Sequence, residues 1–322
     1  LSDMVLNPLI KEKDVEREKG VIVEEIGMYE DTPLMHIGDV FENLIFKGNN
    51  LGRDIIGNRK SVKSLQRSDF VRYIKRHYYA ENMLVTVAGG VDTKEVRELT
   101  EKYFEQVKEG KENKLKEFKA AQKNPQVLLD SSKKQQAHFI IGFLAGERGN
   151  KDSYVEQVLT NILGGGMSSR MFTEVREKRG LAYAVRTDKS GYRDTGYIEV
   201  YAGVDTKRID EAIKVVVDQC YGLREEKYPI TKKELSKAKE YMKGHLALKL
   251  EDTDKINRFF GIRELLLQKV ETPEEVFKAI DKVGVDDIMR VANEVLVPER
   301  LNLAIIGPYE NQERFEKTVK NA

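Results

Sequence analysis

The chain is 322 residues long with a mass of 36.9 kDa, which fits two domains at about 150 residues each. Its 55 Lys and Arg residues balance 54 Asp and Glu residues, and a net charge of +1 argues against a dedicated nucleic-acid binder. The single cysteine, Cys220, excludes an intrachain disulfide and any Cys-x-x-Cys metal site. No apolar run approaches the roughly 20 residues of a membrane span, and Leu1 to Ile10 lack the pattern of a secretory signal. The expectation is a cytoplasmic protein with neither nucleic-acid nor membrane partners. The first residue is Leu rather than Met, which predicts a chain that is processed, engineered or incomplete.

Residues 11–30 place Val15, Val21, Ile22, Ile26 and Tyr29 at helical spacing, so this stretch predicts one long helix. Residues 33–47 predict a second, ended by Gly48 and two asparagines. Ser68-Asp69 is expected to cap a third helix over 70–78. Met83 to Ala88 reads as a buried strand stopped by Gly89-Gly90, and Asp92 caps a helix to about Phe104. Residues 107–125 are Lys-rich and aperiodic, the composition of a linker. The domain expectation is therefore 1–106, a linker over 107–127, and 128–322. Beyond the linker, strands are expected at 136–143, around 182–188, at 195–204 and at 301–306. Helices are expected over 152–163, 168–179 and much of 206–294. This mixture predicts an α+β fold with helices layered on a sheet.

Residues 68–90 resemble residues 286–308. Asp69 aligns with Asp287, and Gly89 with Gly307, both at an offset of 218. Residues 11–19 match 231–239 at offset 220, and Asp31-Thr32 matches Asp252-Thr253 at offset 221. A near-constant offset predicts an internal repeat. The second copy would fill roughly 105–322, so about 114 residues would be missing from the front of the first.

Glu18 and Glu25 stand seven residues apart. That is nearly two helical turns, so both carboxylates share one helix face. Such a pair can support a cation such as zinc, although a solvated acidic stripe is the commoner meaning. Gly164-Gly165-Gly166 precedes a helix, as in phosphate cradles. It lacks the Lys of a P-loop, and no G-x-G-x-x-G follows a strand, so a structural or peptide-contacting loop is expected rather than a nucleotide site.

The strings EREKGVIVEEIGMYEDTP, LGRDIIG, NMLVTVAGGVD and above all LGGGMSSRMFTEVREKRGLAYAV resemble the pitrilysin-type (M16) zinc metallopeptidases, in their bacterial processing-protease branch. This group is similar to the mitochondrial processing peptidase. The resemblance spans essentially the whole chain. It implies two homologous sheet-plus-helix α+β domains that close around peptides bound in extended form by strand addition. It also implies a homodimer and one zinc ion per complete subunit. The family holds zinc by His-x-x-Glu-His and a later Glu, and Glu25 falls at that later position. Glu18 matches the second acidic residue near the metal. Arg176 and Tyr183 match the pair that hydrogen-bonds substrate and stabilises the oxyanion. Arg179 reads as a structural or surface residue at a helix end.

His-x-x-Glu-His is absent from these 322 residues, whose histidines are His36, His77, His138 and His245. At offset 220, Glu18 becomes Ala238 and Glu25 becomes His245, so the second copy lacks both carboxylates and His245 reads as a packed or surface residue. The expectation is a zinc endopeptidase whose first domain lacks its front, inactive as this chain alone. The alternative is a non-catalytic family subunit that binds substrate or partner.

Overall fold

The structure is a computed structural model that describes residues 1–110, 116–133 and 135–320. Residues 111–115, in the middle of the expected linker, lie outside the described residues. In chain order the elements begin with α1 (Ser2–Leu6), α2 (Glu12–Asp31), α3 (Pro33–Ile45), α4 (Arg59–Ser64), α5 (Arg67–His77) and α6 (Thr93–Phe104). There follow β1 (Gln126–Ser131), β2 (Gln136–Ala145), α7 (Ser153–Gly164), a π-helical turn (Phe172–Glu177), β3 (Ala182–Gly191) and β4 (Gly196–Asp205). Then come α8 (Ile209–Arg224), α9 (Lys232–Lys249), α10 (Thr253–Leu267), α11 (Pro273–Lys282), α12 (Val285–Val295), β5 (Leu301–Gly307) and α13 (Gln312–Lys320).

The expected mixture of helix and sheet is borne out. The sequence pattern did not reveal α1, α4, β1 or α13. Helix 168–179 is realised as the shorter π-helical turn.

The chain forms two compact units, neither of them contiguous in sequence. Unit 1 contains residues 1–30, 54–115 and 247–271; unit 2 contains 31–53, 116–246 and 272–322. Helix α3 thus belongs with the second half of the sequence, and α10 with the first.

Unit 2 is built on a five-stranded sheet of order β1-β5-β2-β4-β3. Only the β1–β5 pair is parallel. The strands alternate in the usual way, so each presents one residue set to each face. Ile140, Leu144, Tyr197, Tyr201, Ala304 and Ile306 form one face, covered by Ile37, Val40, Phe41 and Ile45 of α3. The opposite face carries Phe139, Ile141, Ile198, Val200 and Ile305, all at most 1% exposed, and α7, α8 and α12 pack against the sheet there. Phe41 sits directly over Gly142. A Cβ at Gly142 would stand 2.3 Å from Phe41 Cζ, so the glycine is a notch for the ring.

Unit 1 contains α1, α2, α4, α5, α6 and α10 and, among the described residues, no strand. The strand expected at 83–88 makes no ladder, and Leu84, Val85 and Val87 are 37–51% exposed. The reason is physical: a strand exists only through its partners. Its repeat counterpart β5 has β2 on one side and β1 on the other. Helix α10 does lie on this segment, with Gly261 closely packed against Thr86.

The helices reproduce the repeat closely. Helices α5 and α12 begin and end 218 residues apart. Asp69 is not the N-cap expected from sequence, because it reaches back from the third helical position to the Gln66 N–H at 2.9 Å. Asp287 reaches back to the Gly284 N–H in the same way at 2.9 Å. A carboxylate there satisfies an otherwise orphaned donor and faces the positive end of the helix.

Gly142→Ala is expected to destabilise unit 2 by about 1–3 kcal/mol through overpacking. Phe41→Ala should cost about 3–5 kcal/mol. In a Phe41→Ala background the Gly142→Ala cost should largely vanish, which urea titration of the double-mutant cycle will show.

Candidate functional site

Glu18 and Glu25 both lie on α2, in unit 1. Val15 and Ile26 are the buried anchors of this helix. Glu18 is exposed and accepts a 3.3 Å hydrogen bond from Arg17 Nε. Glu25 is half-buried and makes no hydrogen bond or ion pair among the described residues. A partly desolvated carboxylate without a partner is suited to take a cation. No group of three His, Cys, Asp or Glu side chains able to hold a metal occurs among the described residues. The described residues therefore do not make up a zinc centre around Glu25.

The histidines have other partners. His138 is buried, its Nδ1 is 2.9 Å from the Tyr201 hydroxyl, and burial holds its pKa down. His245 stacks on Tyr241 with ring centroids 4.2 Å apart, and His77 on Tyr73 at 4.3 Å. His36 Nε2 is 3.5 Å from Asp130.

Arg176 and Tyr183 lie in unit 2, joined by one short piece of chain. Arg176 is on the π-helical turn and Tyr183 on β3, two elements in contact, whereas the two glutamates share one helix. Arg176 belongs to the π-helical turn, a wider helix than the α-helix on either side of such insertions. Gly180 closes this turn at φ +57, the left-handed conformation that suits glycine at a helix end. Its N–H donates to the Arg176 carbonyl at 3.0 Å, and Leu181 N–H donates to the Val175 carbonyl at 2.9 Å. Arg208 donates to the Arg179 carbonyl at 3.1 Å and ties the turn down.

Leu181 and Ala182 are then buried, and Tyr183 emerges 67% exposed. Ala182 pairs with Val204 while Ala184 pairs with Gly203, so Tyr183 is the extra residue of a β-bulge. Bulges re-aim side chains and recur beside active sites. The side chains of Arg176 and Tyr183 make no hydrogen bond or ion pair among the described residues. Both donors are thus uncommitted, and both stand at departures from regular structure that no residue pattern reveals. Tyr183 also stands on β3, the strand at one end of the sheet.

The triple glycine is explained by packing. A Cβ at Gly164 would come within 2.0 Å of Thr187 Oγ1, so its absence lets the end of α7 meet β3. A Cβ at Gly165 would meet Asn161, and one at Gly166 would lie 3.2 Å from the Tyr241 ring. Arg170, largely buried, forms a two-pronged pair with Glu234 at 2.8 and 3.2 Å and also donates to the Tyr228 and Pro229 carbonyls. This fixes the loop after the glycines to the start of α9.

Against this geometry the comparisons with known proteins are specific. Residues 64–242 match the family pattern described as the peptidase M16 inactive domain. An uncharacterized zinc protease of Streptomyces coelicolor is 34% identical, over 97% of this chain and 68% of that protein. The chain belongs to the M16 peptidase family. An uncharacterized zinc protease of Bacillus subtilis is 31% identical over 97% of this chain and 75% of its own length. Solved structures share the fold of this M16 chain. The crystal structure of a protease from Helicobacter pylori has TM-score 0.84 at 22% identity, over 92% of this chain and 72% of that one. A peptidase M16 inactive domain from Pseudomonas fluorescens has TM-score 0.86 at 18% identity, over 97% and 74%. No helix among the described residues is long and apolar enough to cross a membrane.

One further group in unit 2 was not visible from sequence. Glu199 on β4 stands opposite Asp188 on β3. Burial first, and then Asp188, push its carboxyl up to about 7, against the pull of Arg186. Near it, Glu42 of α3 accepts from the Tyr197 hydroxyl at 2.8 Å and from the Tyr192 hydroxyl. Between the ordinary value of 4.5 and about 7, the folded chain holds a proton on Glu199 that the unfolded chain releases. Stability therefore falls as pH rises through that window. Glu199→Gln should raise stability at pH 8 by about 1–3 kcal/mol and change it little at pH 5, as urea midpoints at the two pH values will show.

Proposed function

We propose that this chain supplies the peptide-binding side of a zinc endopeptidase that acts on peptides or presequences held in an enclosed chamber. The observation that carries the reading is the pair of uncommitted donors, Arg176 in a π-helical turn and Tyr183 at a bulge on the end strand β3. An extended peptide laid along β3 gains main-chain hydrogen bonds from the strand. Arg176 and the Tyr183 hydroxyl then donate to a peptide carbonyl. Fixed donors aimed at an oxygen that gains negative charge stabilise the tetrahedral state more than the ground state.

Glu25 is proposed as the zinc ligand from this chain, and Glu18 as an acidic group supporting catalysis. A zinc ion, when bound, lowers the pKa of its water to near 7. The other ligands and the base belong, by resemblance, to His-x-x-Glu-His, which is not among these 322 residues. The chain alone is accordingly proposed to bind peptide without cleaving it. A homodimer in the cytoplasm completes the reading, with 1–106 and 128–322 as the two homologous halves. The match to an inactive-domain pattern over 64–242 favours a second reading, a non-catalytic family subunit that binds substrate or partner.

Arg176→Ala should weaken binding of a fluorescein-labelled pool of twelve-residue peptides by about tenfold or more, the loss of a charged hydrogen bond. Tyr183→Phe should weaken it by about three- to tenfold. Anisotropy titration with unchanged affinity in both variants refutes the peptide site. The two readings separate on metal. In a gene product carrying His-x-x-Glu-His ahead of this sequence, Glu25→Gln should lower zinc content measured by elemental analysis. Unchanged zinc there refutes the ligand assignment, and a gene without the motif supports the non-catalytic subunit.

A further inference from the structure

The turn that carries Arg176 is crowded with charge: Glu174, Glu177, Lys178 and Arg179 lie within three residues of it. An arginine in such company ordinarily pairs with an acid. Here Glu174 is already occupied, taking Lys178 Nζ on one carboxylate oxygen and Arg179 Nη1 on the other, both at 2.6 Å. Those two hydrogen bonds hold its pKa down, so it remains a carboxylate committed to them. Glu177 makes no ion pair with Arg176 among the described residues. The Arg176 guanidinium lies instead over the Phe172 ring, 4.9 Å from its centroid. Phe172 is half-buried and opens the π-helical turn, four residues before Arg176.

From this arrangement we infer that Phe172 is a positioning residue, which holds Arg176 in place while leaving its hydrogen-bond donors free for a peptide. The inference rests on the peptide-binding reading and names a residue that the reading did not include. The physical logic is one of donors. A carboxylate partner fixes an arginine by consuming its N–H groups, and that pair must break before a peptide carbonyl can be met. An aromatic face attracts the guanidinium through its quadrupole and leaves the in-plane N–H groups unused. A long side chain that would otherwise sample many rotamers is ordered before peptide arrives, so less freedom is lost on binding. Glu174, Lys178 and Arg179 complete the device, since Glu174, with both oxygens committed, does not capture Arg176, and Glu177 forms no ion pair with it.

The test uses the full chain with Phe172→Leu and Phe172→Tyr beside Arg176→Ala. Two readouts are taken: the NMR position of the Arg176 Nε–H, which a ring above it shifts, and anisotropy titration with the labelled twelve-residue peptide pool. Phe172→Leu should abolish the ring shift and weaken peptide binding by about two- to fivefold. Phe172→Tyr should restore both. Phe172→Met replaces the leucine variant if that variant lowers the thermal midpoint. An Arg176 signal that does not move in Phe172→Leu overturns the stack. A lost ring shift with unchanged peptide affinity, beside a weakened Arg176→Ala, overturns the positioning role. If Arg176→Ala itself binds as tightly as wild type, the peptide reading fails and the positioning role falls with it, a pattern distinct from the other two.

Discussion

Unit 2 depends on one contact, the Phe41 ring of α3 seated on Gly142 of β2. A sheet buries its second face only if something covers it. Here the cover is a single helix, and it can lie close because the strand beneath it has no side chain at that point. Phe41 then meets Tyr197 edge-on at 5.1 Å, and Phe46 meets Tyr192 at 5.3 Å. Those tyrosines would be costly to bury with idle hydroxyls, and Glu42 of the same helix receives both. One turn of α3 thus provides the apolar seal and the polar satisfaction together.

The scaffold so fixed is regular where it bears structure and irregular where Arg176 and Tyr183 stand. A π-helical turn and a bulge both disturb ordinary hydrogen bonding, and they persist because the surrounding residues pin them. Leu181 and Ala182 are buried between the two irregularities, and Arg208 ties the intervening turn. Backbone geometry aims the exposed side chains at such points, and at Arg176 the Phe172 ring adds a hold that uses none of its donors. The acidic pair on α2 is built differently, as a plain helical face whose two carboxylates align by periodicity alone.

Much of this was legible in the sequence. Helical spacing marked α2 and α3, alternation marked β2 and β4, and the offset of 218 foresaw that α5 and α12 are matched helices. The strings around Glu25 and Arg176 carried the family. Other features were not legible, for identifiable reasons. Residues 83–88 have every mark of a strand, yet pairing is a property of neighbours and not of a segment. Nothing local could show that α3 serves the sheet of the second half, since its apolar stripe fits any apolar surface. The bulge at Tyr183 and the π-turn under Arg176 depend on the register of β4 and on the tie from Arg208, both distant in sequence. Glu199 reads as an ordinary strand position, because its burial and the Asp188 opposite it are both set by distant parts of the chain.

The placement of β5 bears on how the chain is made. Its residues 301–307 form a strand flanked on both sides, by β1 and by β2, so the sheet is discontinuous until they arrive. Helix α3 leaves the ribosome more than 250 residues earlier, with its apolar face in need of Ala304 and Ile306. At about 5–20 residues per second, that face waits for roughly ten to fifty seconds. The order of synthesis thus opposes the order of packing: β2 and β4 offer α3 part of its surface, and the part made by Ala304 and Ile306 comes last. The core is sealed only when the strand between β1 and β2 is in place.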